Sequence, residues 1–279
     1  MAAHPEAVMS LAQSQKGAKT WLIAIGMTQI LLHLLFIRRS QYPYLLPASS
    51  IFWAATAMQL YTQRHHLSLR DHRAIWGGLL LLAGVVYRGL HTFESDYFLR
   101  LYPLLVLVSL SLLASGVQGL AQYQGAFYLL GFFAMPWELL YLLDFTTWTT
   151  QLSTMLLRLM GFAVHQQGFT IALPGGAIEV YNGCSGVRSI TQLLGLAWIY
   201  VTLTATQGRQ KYLILLGAVS IGFFANGCRV ALLAILSSQP DTLHYWHQGD
   251  GSLLFSLLAV LLLGLLLLSL PTRQGRFSS

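Results

Sequence analysis

Apolar residues run along this chain in long blocks separated by short polar interruptions. Blocks of about 20 mostly apolar residues are long enough, as helices rising about 1.5 Å per residue, to cross the hydrocarbon core of a bilayer. About eight such blocks are found, near 21–37, 44–62, 74–90, 98–120, 124–143, 186–206, 212–236 and 251–270. The pattern predicts an all-α fold, a polytopic membrane helix bundle occupying residues 1–279 as one integral-membrane domain. Residues 144–185 form the one long connection. Its first part, "TTWTTQLSTMLLRLMGFAV", mixes apolar and polar positions as an interfacial amphipathic helix does. Its second, "FTIALPGGAIEVY", holds two short β-type runs about Pro174, Gly175 and Gly176 and reads as a hairpin. A hairpin exposed to lipid would leave backbone groups unsatisfied, so this one is expected above the membrane.

Composition supports the same class. The 279 residues are 55% hydrophobic and 9% charged, against about 25% charged in an average soluble domain. Lys16 and Lys19 before the first block resemble the basic start of a signal peptide. The block is longer than a usual signal core, however, and is followed by Arg38 and Arg39 instead of a small-residue cleavage site, which predicts a retained span.

The net charge of +7 does not point to nucleic acid, because the basic residues sit in short loops where they set orientation. With the N-terminus cytoplasmic, the inner loops and tails collect Lys16, Lys19, Arg64, Arg70, Arg73, Arg209, Lys211, Arg273 and Arg276. The outer side collects Arg38, Arg39, Arg88 and Arg158, together with most of the acids: Glu94, Asp96, Asp144, Glu179, Asp241 and Asp250. The bias predicts a multi-pass protein of the plasma membrane, both termini cytoplasmic, with 144–185 and 237–250 facing outward. The histidines of "RHHLSLRDHR" (64–73) then lie in a short cytoplasmic loop, where headgroup contact explains them more simply than a metal does.

Chemistry concentrates where one apolar block begins. "YNGCSGVRS" (181–189) places Cys184 beside Asn182, Ser185 and Arg188. Cysteine is nucleophilic as thiolate, and a helix N-terminus or a nearby cation favours that form. A buried structural cysteine is the simpler alternative, weakened by this polar setting. Arg229 stands in "FFANGCRVALLAIL", where its guanidinium cannot shed its charge and needs a partner or a task, snorkelling to headgroups being the plain alternative. Asn226 lies three residues earlier on the same helical face. His247, in "HYWHQGDGSLLF", is suited to proton transfer, although His244 is three residues away and spacing does not choose between them. Counting residues along the predicted spans puts Cys184, Arg229 and His247 on one level, because Arg229 lies roughly 25 Å along its helix from Tyr212. Cys228, next to Arg229, points in another direction on the helix, and a Cys184–Cys228 disulfide is a structural alternative.

Taken together, "NGCSGVRS" (182–189), "NGCR" (226–229) and His247 with Gly251 in an H-x-x-x-G spacing resemble the three signatures of the exosortase/archaeosortase family. The resemblance spans roughly 150–265 and looks closest to the cyanobacterial exosortases. It implies a membrane cysteine protease and transpeptidase that cleaves exported, membrane-anchored proteins at a C-terminal sorting signal of PEP-CTERM type through a thioester. It implies Cys184, Arg229 and His247 as catalytic residues. Asn182, Ser185, Gly186, Arg188, Asn226 and Gly251 would shape the site or bind substrate, with no cofactor.

Two other classes compete. Asp241, His244, His247 and Asp250 recur every three residues and suggest an intramembrane metalloprotease, though no H-E-x-x-H is present. Glu138 beside Pro136 suggests a transporter, with structural pairing, for example to Arg88, as the plainer reading. A scaffold that binds sorting signals without cutting them is a third possibility.

Overall fold

The computed structural model describes residues 5–62, 72–91, 96–143, 145–247 and 249–270, with side chains from Gly17 onward and excepting Glu138. The chain forms two compact units, Met1–Pro136 and Trp137–Ser279. Five helical segments among the described residues are long and apolar enough to cross a bilayer: Gly17–Arg39, His72–His91, Asp96–Ser115, Arg209–Ser238 and Gly251–Ser269.

The first unit contains α1 (Pro5–Arg39), α2 (Leu45–Thr62), α3 (His72–His91), α4 (Asp96–Ser115) and α5 (Gln124–Phe133). Its centre is polar. His33, fully buried, accepts at Nδ1 from Trp53 Nε1 at 3.0 Å, and its Nε2 lies 2.7 Å from the Leu99 carbonyl. Indole nitrogen only donates, so the ring is the Nε2–H tautomer with both nitrogens satisfied. Tyr102 stacks on this ring with centroids 5.0 Å apart and donates to Gln29 at 2.7 Å. Polar groups in an apolar bundle persist when partnered in this way.

The expected span at 124–143 is not one helix. α5 has 10 residues, about 15 Å of rise, half of a hydrocarbon core. A 3-10 turn, Trp137–Leu142, follows it. Pro136 lies in the break; it lacks the N–H and would clash with the preceding turn of a continuing helix. The blocks at 44–62 and 186–206 do form helices, of 18 and 17 residues, but neither is among the five segments above.

The second unit contains α6 (Phe145–Leu159), β1 (His165–Gln167), β2 (Thr170–Leu173), β3 (Gly176–Glu179), α7 (Val187–Leu203), α8 (Arg209–Ile235), α9 (Pro240–His247) and α10 (Gly251–Ser269). The predicted hairpin is β2–β3, turning at Pro174 and Gly175, and β1 adds an unpredicted third antiparallel strand. One face of the sheet, through Ile171 and Val180, packs on Leu157 of α6 and on Val230, Ala231 and Ala234 of α8. A second core joins α7, α8 and α10 through Leu193, Ala197, Ile214, Ala218 and Leu263.

Small residues let these helices approach. A Cβ on Gly222 would lie 3.0 Å from the Ile190 Cα, and one on Gly227 would overlap the Leu152 side chain, the close packing that membrane helices use in place of a hydrophobic driving force. α10 leaves Leu253, Leu257, Leu261 and Leu268 exposed, a face that belongs against lipid.

α6 is amphipathic in an unexpected sense. It buries Thr146, Thr149, Thr150, Ser153, Thr154 and Leu157 and exposes Trp148, Met155 and Leu159. The buried stripe carries hydroxyls, and those of Thr146 and Thr149 find partners in the turn around Cys184 while that of Ser153 reaches α8.

Candidate active site

β3 continues through Val180 into an extended Tyr181, φ −113° and ψ 174°, and then into a 3-10 turn, Asn182–Cys184. The turn closes on itself: Cys184 N–H donates to the Tyr181 carbonyl at 2.8 Å, and the Ser185 hydroxyl to the Asn182 carbonyl at 2.6 Å. Gly186 follows at φ +88°, in the left-handed region that costs other residues about 1 kcal/mol or more. A Cβ there would also lie 2.9 Å from the Asn226 amide nitrogen. Both constraints favour glycine, and α7 starts immediately after it.

Two helices hold this turn. Asn226 of α8, buried, donates from Nδ2 to the Cys184 carbonyl at 2.8 Å. From α6, Thr149 donates to the Ser185 carbonyl at 2.8 Å and Thr146 to the Asn182 side-chain oxygen at 3.1 Å. Ser153 ties α6 to α8 by donating to the Gly227 carbonyl at 2.9 Å. Left unpaired, such buried groups each cost about 1–3 kcal/mol, so the bonds fix where the thiol sits.

The thiol is buried and meets one imidazole, Cys184 Sγ lying 3.5 Å from His247 Nε2. His247 is the last residue of α9, and its carbonyl accepts from Arg229 Nη2 at 2.8 Å. A cation at a helix C-terminus is stabilised by the unpaired carbonyls there. Arg229 therefore anchors the end of α9 and positions the ring, while its buried Nε has no hydrogen-bond partner among the described residues. Partial burial, and then the charges of Arg229 and His244, hold His247 below the ordinary imidazole value. The ring is thus a neutral base near pH 7.

Tyr181 stands at the rim, its ring edge-on to His247 with centroids 6.4 Å apart. The charge of a Cys184 thiolate, then partial burial, then a hydrogen bond to that sulfur raise its phenol above the ordinary value. Its hydroxyl stays a donor. A cavity of about 400 Å³ opens onto Cys184 and His247. The run Ile178–Tyr181 forms one bank and Pro240, Leu243 and His244 of α9 form the other, over Val230 and Leu233 of α8.

The residues proposed from sequence thus fall into three places. Cys184, His247 and Arg229 share the contacts just given, with Asn226, Ser185 and Gly186 directly behind the thiol. Asn182 is exposed but held by Thr146, and Arg188 lies exposed in the first turn of α7, near enough for its charge to act on Tyr181. Gly251 opens α10, where a Cβ would lie 2.8 Å from the Tyr245 ring and 2.9 Å from that of Trp246; it serves the turn out of α9.

His244 lines the cavity, but the sulfur contact is made by His247. Both cysteines are free thiols, so the alternative disulfide is not formed. Asp241, His244, His247 and Asp250 do not converge: among the described residues no three His, Cys, Asp or Glu side chains are placed to share a metal. Glu138's side chain lies outside the described residues, as does the 64–73 cluster apart from His72 and Arg73.

Sequence reasoning overlooked Tyr181 and the α6 hydroxyls. The signal for the latter was present, in Thr146, Thr149, Thr150, Ser153 and Thr154 at helical spacing on one face.

Helices able to cross a bilayer, together with a thiol hydrogen-bonded to an imidazole at the wall of an open cavity, define a membrane protein with the elements of a cysteine-based site. The profile described as transmembrane exosortase (Exosortase_EpsH) matches residues 18–264, and the chain belongs to this family. Membership suggests a membrane transpeptidase-like function. No curated protein and no solved structure matches the chain.

Proposed function

We propose that this protein is a membrane cysteine peptidase and transpeptidase that cleaves exported proteins at a C-terminal sorting signal of PEP-CTERM type. The observation that carries the reading is the 3.5 Å contact between Cys184 Sγ and His247 Nε2, with both residues lining one cavity. His247 takes the thiol proton as sulfur attacks the scissile carbonyl, and returns it to the amine leaving with the broken C–N bond. The acyl group remains on Cys184 as a thioester. An incoming amine, or water, gives a proton to His247 and attacks that carbonyl; the thiolate leaves and is reprotonated.

Arg229 keeps the imidazole in place through the His247 carbonyl and adds positive charge beside the carbonyl oxygen that becomes negative. The substrate's own transmembrane helix brings its signal to the outer face, where the charge bias places Cys184. Trapping settles the reading: full-length protein in proteoliposomes, incubated with a sorting-signal substrate and quenched in acid, should carry peptide on Cys184 by mass spectrometry. Substrate matured normally by Cys184→Ala would refute it.

A further inference from the structure

The cavity beside Cys184 is walled by an open strand edge. β3 is the last strand of the order β1-β2-β3 and pairs on one side only. Val180 N–H donates to the Phe169 carbonyl at 2.9 Å. In an antiparallel ladder hydrogen-bonded pairs alternate with non-bonded ones. The register Thr170↔Glu179, Ile171↔Ile178 and Ala172↔Ala177 therefore turns the main-chain N–H and C=O of Ile178 toward β2, and those of Ala177 and Glu179 away from it. Extended Tyr181 continues the alternation, so its N–H faces the same way as Glu179's. Among the described residues no hydrogen bond is made to the main chain of Glu179 on that side.

The cavity lies along this edge. It touches four consecutive residues, Ile178 to Tyr181. Their side chains alternate between the two faces of the sheet, so a space meeting all four meets the strand from its edge. The opposite bank presents apolar Leu243 and Pro240 beside His244, and the same cavity reaches Cys184 and His247.

We propose that the β3 edge is the substrate-binding register: a peptide enters in extended form as a fourth strand, hydrogen-bonded to Glu179 and to the Tyr181 N–H, which carries its scissile carbonyl to Cys184. The inference rests on the thiol reading above and specifies how substrate is held. Main-chain pairing supplies affinity with little demand on sequence, and Leu243 and Pro240 meet the side chains on the far side of the added strand. It also accounts for a small sheet in a helical membrane protein, placed directly before the cysteine.

The test uses full-length protein in detergent micelles and N-acetyl-trialanine chloromethyl ketone. The Cys184 sulfur displaces chloride at the ketone's methylene, forming a thioether, and the thiol proton passes to His247. Intact-protein mass gives the rate, with iodoacetamide, too small to pair with a strand, as reference. Methylating the peptide nitrogens one at a time should slow trialanine labelling about tenfold at alternate positions and under about threefold at those between. Glu179→Pro removes an edge N–H without breaking the β2–β3 ladder, and should slow trialanine labelling about tenfold while leaving the iodoacetamide rate unchanged. Gln166→Pro, on the far edge of the same sheet, should leave both rates unchanged.

Equal effects of methylation at every nitrogen, or wild-type trialanine labelling of Glu179→Pro, would overturn strand addition while leaving the thiol reading intact. If Glu179→Pro also loses iodoacetamide labelling, the methylated series decides alone. Failure of both reagents to label Cys184 in the unaltered protein would overturn the thiol reading and strand addition together.

Discussion

At the scale of single residues, His247 is governed by what surrounds it. Burial first, and then the charges of Arg229 and His244, lower its proton affinity from the ordinary value of 6.5. A lowered value keeps the ring neutral further into acid, so the acid limb of substrate processing should lie below pH 6.5. His244→Asn removes one of the lowering charges, and the limb should then move toward higher pH, measured as kcat/KM against pH. A limb that does not move would show that His244 exerts no field on the base.

Asn226 gives a second test at this scale. Asn226→Ala strands the Cys184 carbonyl in a buried site, which should cost about 1–3 kcal/mol, read as a lower Tm in detergent, together with slower alkylation of Cys184. Cys184, Arg229 and His247 were legible in the sequence because each is chemically out of place at the end of an apolar block. What sequence could not supply was the choice of His247 over His244, since both lie on α9 and line the cavity, and only packing puts one ring against sulfur.

At the scale of elements, α6 carries the lesson. Its alternation of hydroxyl and apolar positions predicted an amphipathic helix, and the chain does form a helix there, but with the hydroxyl face turned inward onto α8 and the cysteine turn. Around lipid the outward face is the apolar one, and buried hydroxyls are useful where backbone carbonyls of a non-helical turn need donors. Thr149→Val keeps the shape and removes the donor to Ser185; it should lower stability by about 1–3 kcal/mol and slow processing, without changing the amount of protein in the membrane. Gly222→Leu should push α7 from α8, because even a Cβ meets Ile190 main chain, and should be read as loss of a thermal transition.

The β2–β3 hairpin was legible from Pro174 and Gly175 between two β-type runs, whereas β1 was not, since "HQQ" is short, polar and without alternation. Pro136 signals a kink in a span whose apolar content continues through it, and the structure breaks the helix there outright. Hydropathy counts residues and is blind to a missing N–H.

At the scale of the whole molecule, five helical segments among the described residues that are long and apolar enough to cross a bilayer, and membership of the transmembrane exosortase family, agree on a membrane protein. The basic residues of the short loops predict an orientation with Cys184 on the outer side. A membrane-impermeant maleimide added to spheroplasts should therefore label Cys184, with Cys228→Ser as the background; labelling confined to inverted vesicles would reverse the topology. The site lies wholly within the second unit, since Thr146 to Gly251 supply every contact described.

The sequence by itself determined that the chain belongs in a bilayer, that a hairpin precedes the cysteine, and that a thiol, a guanidinium and two candidate imidazoles stand out chemically, because hydrophobic length, turn residues and misplaced polar atoms are properties of local composition. Tertiary structure alone decided which imidazole meets the sulfur, which face of α6 turns inward, and that β3 leaves its edge open along the cavity. Those are distances between residues far apart in the chain, and they are set by how the helices and the sheet pack, which no local pattern of side chains encodes.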